Sequence, residues 1–173
     1  MNDVALDFPH VTSVIKSAGL IDTSFFTEEH RDKGSAVHAA CQYLDEGNLD
    51  RFSLVPAVAL RLAQYERFLL EMKPVILAIE EVVINEQERY QGRIDRWLRL
   101  GARVGILDIK GVSVCKSYGV QTAAYAHAKK GPNARWTLHL HDDKYRLIEW
   151  TERSDWDCFR AALVIHHWKE RAA

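Results

Sequence analysis

Asp108 and Lys110 stand two residues apart in the run Arg103–Lys110 (RVGILDIK). In an extended chain residues i and i+2 project from one face, so a carboxylate and an ammonium are held side by side. Leu107 and Ile109 fall on the opposite face and can anchor the segment in a core. Asp95 lies at the middle of the preceding run, Tyr90–Leu100 (YQGRIDRWLRL). If the two runs pair as a hairpin, Asp95 and Asp108 become neighbours across the ladder, with converging carboxylates. Two carboxylates at short range repel unless a divalent cation joins them. Oxygen ligands suit Mg²⁺ and Mn²⁺. Lys110 could then orient or activate a water, or stabilise charge on a phosphate. The plainer reading makes Asp108–Lys110 a surface ion pair and gives Asp95 to Arg93 or Arg96. For a bare DxK tripeptide that reading is favoured, because such triplets are common.

The surrounding pattern says which elements would carry these residues. Residues 10–18 read as a short helix with Thr12 or Ser13 near its cap. Residues 20–33 are polar and irregular, and residues 34–46 (GSAVHAACQYLDE) read as a helix. From Leu54 to about Ile79 the pattern is helical, opened by Pro56 and disturbed by Pro74. Glu81–Asn85, Tyr90–Leu100 and Arg103–Lys110 are rich in β-branched and aromatic residues, which predicts three consecutive antiparallel strands. Ser117–Lys130 is an alanine-rich helix ended by Gly131, Pro132 and Asn133. Arg135–Leu140 and Tyr145–Trp150 form a hairpin across His141–Lys144, and Ser154 caps a last helix running to about Arg171. This order predicts an α/β fold, an α+β sandwich around one mixed sheet. The whole chain, 1–173, reads as one domain: a helical part at about 10–79, a sheet and helix at about 80–150, and a C-terminal helix at about 154–171.

Four segments resemble, in order and spacing, the motifs of the RecB-like branch of the PD-(D/E)XK nuclease superfamily. GRID (Gly92–Asp95) is similar to its G-x-x-D strand, and LDIK (Leu107–Lys110) to its D/E-x-K strand. QTAAY (Gln121–Tyr125) is similar to its downstream Q-x-x-x-Y helix, and KGSAVH (Lys33–His38) to its upstream G-x-x-x-H helix. The opening FPHVTSVIKSAGLID also looks like that of small phage and prophage exonuclease-like members. The resemblance covers most of the chain and implies a restriction-endonuclease-like core with a central mixed sheet flanked by helices. It implies that Asp95, Asp108, the Ile109 carbonyl and His38 ligate Mg²⁺ or Mn²⁺. Lys110 would position the attacking water. Gln121 and Tyr125, four apart on one helix face, would line the cleft and contact DNA or Lys110. A Glu before the first strand often completes such sites, and Glu80 and Glu81 both qualify. The implied activity is Mg²⁺-dependent hydrolysis of DNA phosphodiester bonds, by an exonuclease of phage type acting in recombination, repair or processing. A homo-oligomer or a recombination partner protein would accompany DNA as partner. Many members of this branch carry a four-cysteine iron–sulfur cluster. Cys41, Cys115 and Cys158 are too few for one. The alternative is a catalytically inactive DNA-binding or assembly module of the same fold. A further rival is a Mg²⁺-dependent phosphohydrolase acting on nucleotides.

Composition bounds the remaining choices. The chain of 173 residues is 47% apolar, with five Trp, six Tyr and six Phe, which is ample for a core without staples. The net charge of -1 leaves no global basic footprint, although a local basic groove is compatible with it. Three cysteines without a CxxC pair argue against a disulfide framework or a zinc cage, and suit a reducing cytoplasm. The N-terminus has no apolar h-region, so no signal peptide is expected. No apolar run approaches the ~20 residues of a membrane span. His139 and His141, two apart on a strand, could share a metal, but a solvated hairpin face is the simpler expectation. His166 and His167 read as one buried and one exposed helix residue. The five tryptophans read as core more than as base-stacking platforms.

Overall fold

The computed structural model describes residues 7–21, 28–111, 113–131 and 134–171. Five α-helices, a short 3-10 turn at Arg51–Ser53 and five strands occur among them: α1 (Val11–Ser17), α2 (Glu28–Asp45), α3 (Pro56–Met72), β1 (Val75–Asn85), β2 (Tyr90–Leu100), β3 (Arg103–Lys110), α4 (Ser117–Lys129), β4 (Ala134–Leu140), β5 (Tyr145–Glu149) and α5 (Ser154–Arg171). The strands form one sheet in sequence order. β1–β2–β3 is an antiparallel meander and β4–β5 an antiparallel hairpin. β3 and β4 run parallel, with α4 as the crossover. A parallel pair cannot be joined by a tight turn, so the helix between them is forced by topology.

Helices cover both faces of the sheet. On one side α1, α4 and α5 enclose a core containing Tyr90, Ile94, Ile106, Tyr125 and Phe159. On the other, α2 and α3 enclose a second core with Tyr65, Phe68, Leu98, Leu107, Ile109 and Trp136. The expected α/β sandwich around a mixed sheet is therefore present. β3 obeys strict alternation: Ile106 enters the first core, and Leu107 and Ile109 the second.

Three boundaries differ from expectation. His10, not Thr12 or Ser13, takes the N-cap position of α1, and its side chain makes no capping bond. α2 starts at Glu28, so residues 28–33 are helical rather than irregular. The expected irregular residues 22–27 lie outside the described residues, as do Pro132 and Asn133. The third difference is larger. The helical pattern through about Ile79 breaks at Met72, and residues 75–79 belong to β1. Lys73 adopts the left-handed conformation (φ 47°) and returns its N–H to Leu69 O as a C-cap. Pro74 then forbids a further turn. Ile76 and Ile79 continue the apolar spacing of α3 by coincidence. As β-branched residues they pair instead with Leu98 and Arg96 of β2.

Candidate active site

The site forms where β2 changes faces. Ile94 enters the α4-side core, and Trp97, three residues later, packs on that same side. Arg96 and Leu98 point the other way. Two same-face residues three apart break the two-residue period of a strand, so the chain is irregular at Asp95–Arg96. The paired strand shows the same break. Glu80, between Ile79↔Arg96 and Glu81↔Ile94, has φ 50°, a left-handed backbone that a β-carbon disfavours.

The β2–β3 ladder stops at Arg96↔Leu107, one residue short of an Asp95–Asp108 pair. The expectation of a regular cross-strand pair is thus corrected. In place of the next ladder bond, Asp95 Oδ2 accepts the Ile109 N–H at 2.7 Å. The carboxylate lies between the two helical layers. From the α2 side, His38 Nδ1 stands 3.3 Å from Asp95 Oδ2. From the α4 side come Asp108 and Lys110, with Lys110 Nζ 2.5 Å from Asp108 Oδ2.

α4 completes the arrangement. Gln121 Oε1 accepts a hydrogen bond from Lys110 Nζ at 3.0 Å, and Gln121 Nε2 donates to Tyr125 Oη at 2.9 Å. Tyr118 lies under the ammonium, its ring centroid 4.8 Å from Lys110 Nζ. Gly92 explains the seat of Tyr125. A β-carbon at Gly92 would stand 2.5 Å from Tyr125 Cε1, so only glycine lets the ring lie against β2. The glycine of GRID and the tyrosine of QTAAY are therefore in contact, and the residues of all four sequence motifs meet here. Glu80 also belongs to this corner: its Oε1 is 3.4 Å from Arg96 Nη1, and the Asp95 charge helps burial raise its pKa. Glu81 faces away and pairs with Lys129.

Burial sets the electrostatics. Asp108, 2% exposed, is pushed up to about 6 by burial and by the charge of Asp95, against the pull of Lys110. Burial would raise Asp95 as well. His38, Lys110 and the Ile109 N–H outweigh it and hold Asp95 below the usual carboxylate range. Burial disfavours the charged forms of Lys110 and His38, yet the adjacent carboxylates raise both above their ordinary values. Two neighbouring carboxylates with divergent pKa values are a recurrent mark of acid–base or metal chemistry.

Asp108 Oδ2 is buried and accepts no hydrogen bond, although the Lys110 ammonium is close. The contact is a close ion pair. A buried carboxylate oxygen free of hydrogen bonds, with a second carboxylate close enough to shift its pKa, suits a hard divalent cation. Among the described residues no three His, Cys, Asp or Glu side chains are grouped as a ready cage. The side-chain donors present for a cation are therefore the two carboxylates of Asp95 and Asp108. His38 touches this set through Asp95.

Other candidates resolve differently. His139 is fully buried, with Nδ1 2.9 Å from Gly111 O and Nε2 3.1 Å from Thr137 Oγ1. Both ring nitrogens are occupied, so it is neither a free ligand nor part of a solvated hairpin face. His166 and His167 are both half-buried, and His166 Nδ1 meets Ser17 Oγ at 2.9 Å. Trp136 is core, Trp97, Trp150 and Trp156 are half-buried, and Trp168 is exposed. Arg96 does not pair with the Asp95 carboxylate. It donates to the Asp95 carbonyl at 2.6 Å and forms its ion pair with Asp45. The pairing of Arg96 with Asp45 is not among the expectations, which offered Arg96 to Asp95. Arg96 shares β2 with Arg93 and Arg99, which are exposed, and nothing in its residue type marks it as the buried one.

The α/β fold with this five-stranded mixed sheet is shared with known structures. No protein-family model matches the chain, and no curated protein does. It is similar to a crystal structure from Eubacterium rectale named "Putative exonuclease", with a TM-score of 0.55 and 15% identity over 88% of this chain and 69% of that one. At this identity the likeness is one of fold. A second structure, SSO0001, covers 86% of this chain and 81% of its own at 14% identity, and its TM-score of 0.40 carries no argument.

Proposed function

We propose that this chain is a metal-dependent nuclease of the PD-(D/E)XK type, in its RecB-like branch, hydrolysing DNA phosphodiester bonds. The observation that carries the reading is the convergence of Asp95, Asp108 and Lys110 with Gln121, at the point where β2 leaves its ladder. The fold likeness to a protein named as an exonuclease supports it. Asp95, Asp108 and the Ile109 carbonyl would hold Mg²⁺ or Mn²⁺, with His38 beside them. The cation would supply Lewis-acid stabilisation of the phosphate and a lowered pKa for a bound water.

The chain's own residues do the rest. Lys110 is positive, because two carboxylates raise its pKa. Its ammonium can donate to an attacking water or to a non-bridging phosphate oxygen. Gln121 Oε1 accepts a hydrogen bond from the ammonium and fixes where its other protons point. Tyr125, braced on Gly92, holds the Gln121 amide in turn. The side chains of Asp108 and Asp95 are 3% and 12% exposed, so charge interactions there are weakly screened by water. An exonuclease of phage or prophage type, acting in recombination, repair or processing, is the finer form of the proposal.

The test is a cleavage assay on linear duplex, circular duplex and single-stranded DNA, in Mg²⁺, Mn²⁺ or EDTA. Cleavage that needs the metal and vanishes in Asp108→Asn is the expected result. Loss of ends without loss of circles would mark an exonuclease. DNA binding without cleavage in either metal would replace the proposal with a non-catalytic binding module. Neither binding nor cleavage would end both readings.

A further inference from the structure

The outer face of α5 carries an apolar stripe that the site does not use. Val164, Ile165 and Trp168 are 67%, 45% and 62% exposed, and Ala161 is exposed beside them. Their spacing of i, i+3, i+4 and i+7 places all four on one side of the helix. Phe159, Ala162 and Leu163 face inward and hold α5 against α4 and α1. The helix therefore has two apolar sides, and only one is spent on the fold. A contiguous exposed apolar patch on a helix marks an association surface.

Two features of the stripe fit it to a copy of itself. The first is size. Let two α5 helices cross antiparallel, about a two-fold axis at the Val164–Ile165 step. The small Ala161 of each then lies opposite the large Trp168 of the other, with Val164 and Ile165 meeting at the centre. Two-fold interfaces require this kind of self-complementarity. The second is charge. Asp157 lies in the first turn of α5 and Arg171 in its last, on the side of the stripe; Asp155 is already paired with Arg135 at 3.0 Å, and Glu170 stands between Lys169 and Arg171. An antiparallel pair sets Asp157 of each helix near Arg171 of the other, and opposes the two helix dipoles favourably. A parallel pair would set like ends together. Arg160, which falls opposite Lys169, is already offset by Glu88 at 3.6 Å, and the Lys169 ammonium is turned to Ser17 O.

We infer that the outer face of α5 docks a second copy of this chain as an antiparallel helix pair. The contact is independent of the hydrolytic reading. One helix pair lies at the low end of interface size, so the dimer is weak and concentration-dependent.

Sedimentation velocity of the full chain from about 1 to 300 μM is the first test, beside Val164→Asp. The wild type should shift towards a dimer, and the variant should raise the dissociation constant about tenfold or more. Val164 is exposed, so the variant should keep its circular dichroism and melting temperature. The second test is disulfide trapping. Ala161→Cys mixed with Trp168→Cys should trap a dimer under mild oxidation faster than either protein alone, with the native cysteines as the shared background. A monomer throughout the range overturns the inference, as does faster trapping of Ala161→Cys with itself. Binding of a monomeric wild type to anionic vesicles, lost in Val164→Asp, would likewise overturn it and assign the stripe to a membrane surface.

Discussion

Two buried charge clusters flank β2, and they are built to different rules. On the α2/α3 side, Asp45 Oδ2 accepts from Tyr65 Oη at 2.7 Å and from Arg96 Nε at 2.6 Å. Arg96 and Asp45 are 0% and 2% exposed at their side chains, and the arginine also donates to the Asp95 carbonyl. The central carboxylate oxygen there is met by two well-aligned donors. On the α4 side, Asp108 Oδ2 has an ammonium nearby and no hydrogen bond. Its pKa is driven up while that of Asp95 is driven down. The first cluster gives its carboxylate fixed partners. The second holds Asp108 Oδ2 by the Lys110 ion pair without a hydrogen bond, and burial disfavours its charged form. Burial alone does not distinguish a structural ion network from a candidate site. Satisfaction does.

The comparison breaks most sharply at Asp108. Asp108→Asn should reduce cleavage by about 10⁴, on the order of 5 kcal/mol of transition-state stabilisation. The folded protein should be as stable or more stable at pH 7. The sign follows from a carboxylate whose folded pKa lies above its unfolded value: stability is lost as pH rises between the two. Initial rates under saturating Mg²⁺ and a thermal melt read both effects. Near-wild-type cleavage would remove Asp108 from the site.

Arg96→Met should act in the opposite sense. It leaves Asp45 buried without its cation, which costs about 3–5 kcal/mol of stability. Urea unfolding measures this. A variant as stable as wild type would show that this ion network contributes nothing.

Gly92→Ala lies between the clusters in kind. The added methyl would press on the Tyr125 ring. Overpacking of this sort costs about 1–3 kcal/mol. It should also lower turnover, because Tyr125 holds Gln121. Stability loss without any change in turnover would make the Gly92–Tyr125 contact purely a matter of packing.

Gln121→Ala should lower DNA affinity or turnover about tenfold, near 1.4 kcal/mol. Mn²⁺ affinity by calorimetry should hold within about twofold, since Gln121 touches Lys110 and not the carboxylates. Equal losses in both would move Gln121 into the metal shell.

The smallest effect is pH-dependent. Asp95 raises the pKa of His38 in the folded protein. Its stabilising contribution is full below the unfolded value near 6.5 and fades as pH rises through the folded one. The side chain is 36% exposed, so screening by water keeps the effect below about 1 kcal/mol. The melting-temperature gap between wild type and His38→Asn should therefore be wider at pH 6 than at pH 8. A gap that does not change with pH would show that His38 does not pair with Asp95.

Much of this was legible in the residues. The period of two in RVGILDIK placed Asp108 and Lys110 together on the face away from Leu107 and Ile109. The four-residue spacing of Gln121 and Tyr125 aimed both at one place, where they share a hydrogen bond. These are short-range consequences of backbone geometry, and sequence carries them directly. The break in β2 at Asp95 and the left-handed Glu80 were not legible, because no glycine or proline marks either position. They follow from how β1 and β2 pair around the buried Arg96. The choice between Glu80 and Glu81 depended on the same irregularity, since it decides which side of the sheet each residue meets. The end of α3 was half legible. Pro74 announced a disturbance, but only pairing with β2 made residues 75–79 a strand. The sequence by itself therefore determined the local periods, the α/β order and the candidate acid–acid–lysine set. The tertiary structure decided which charges are satisfied, because hydrogen-bond partners distant in the chain meet only when the layers pack.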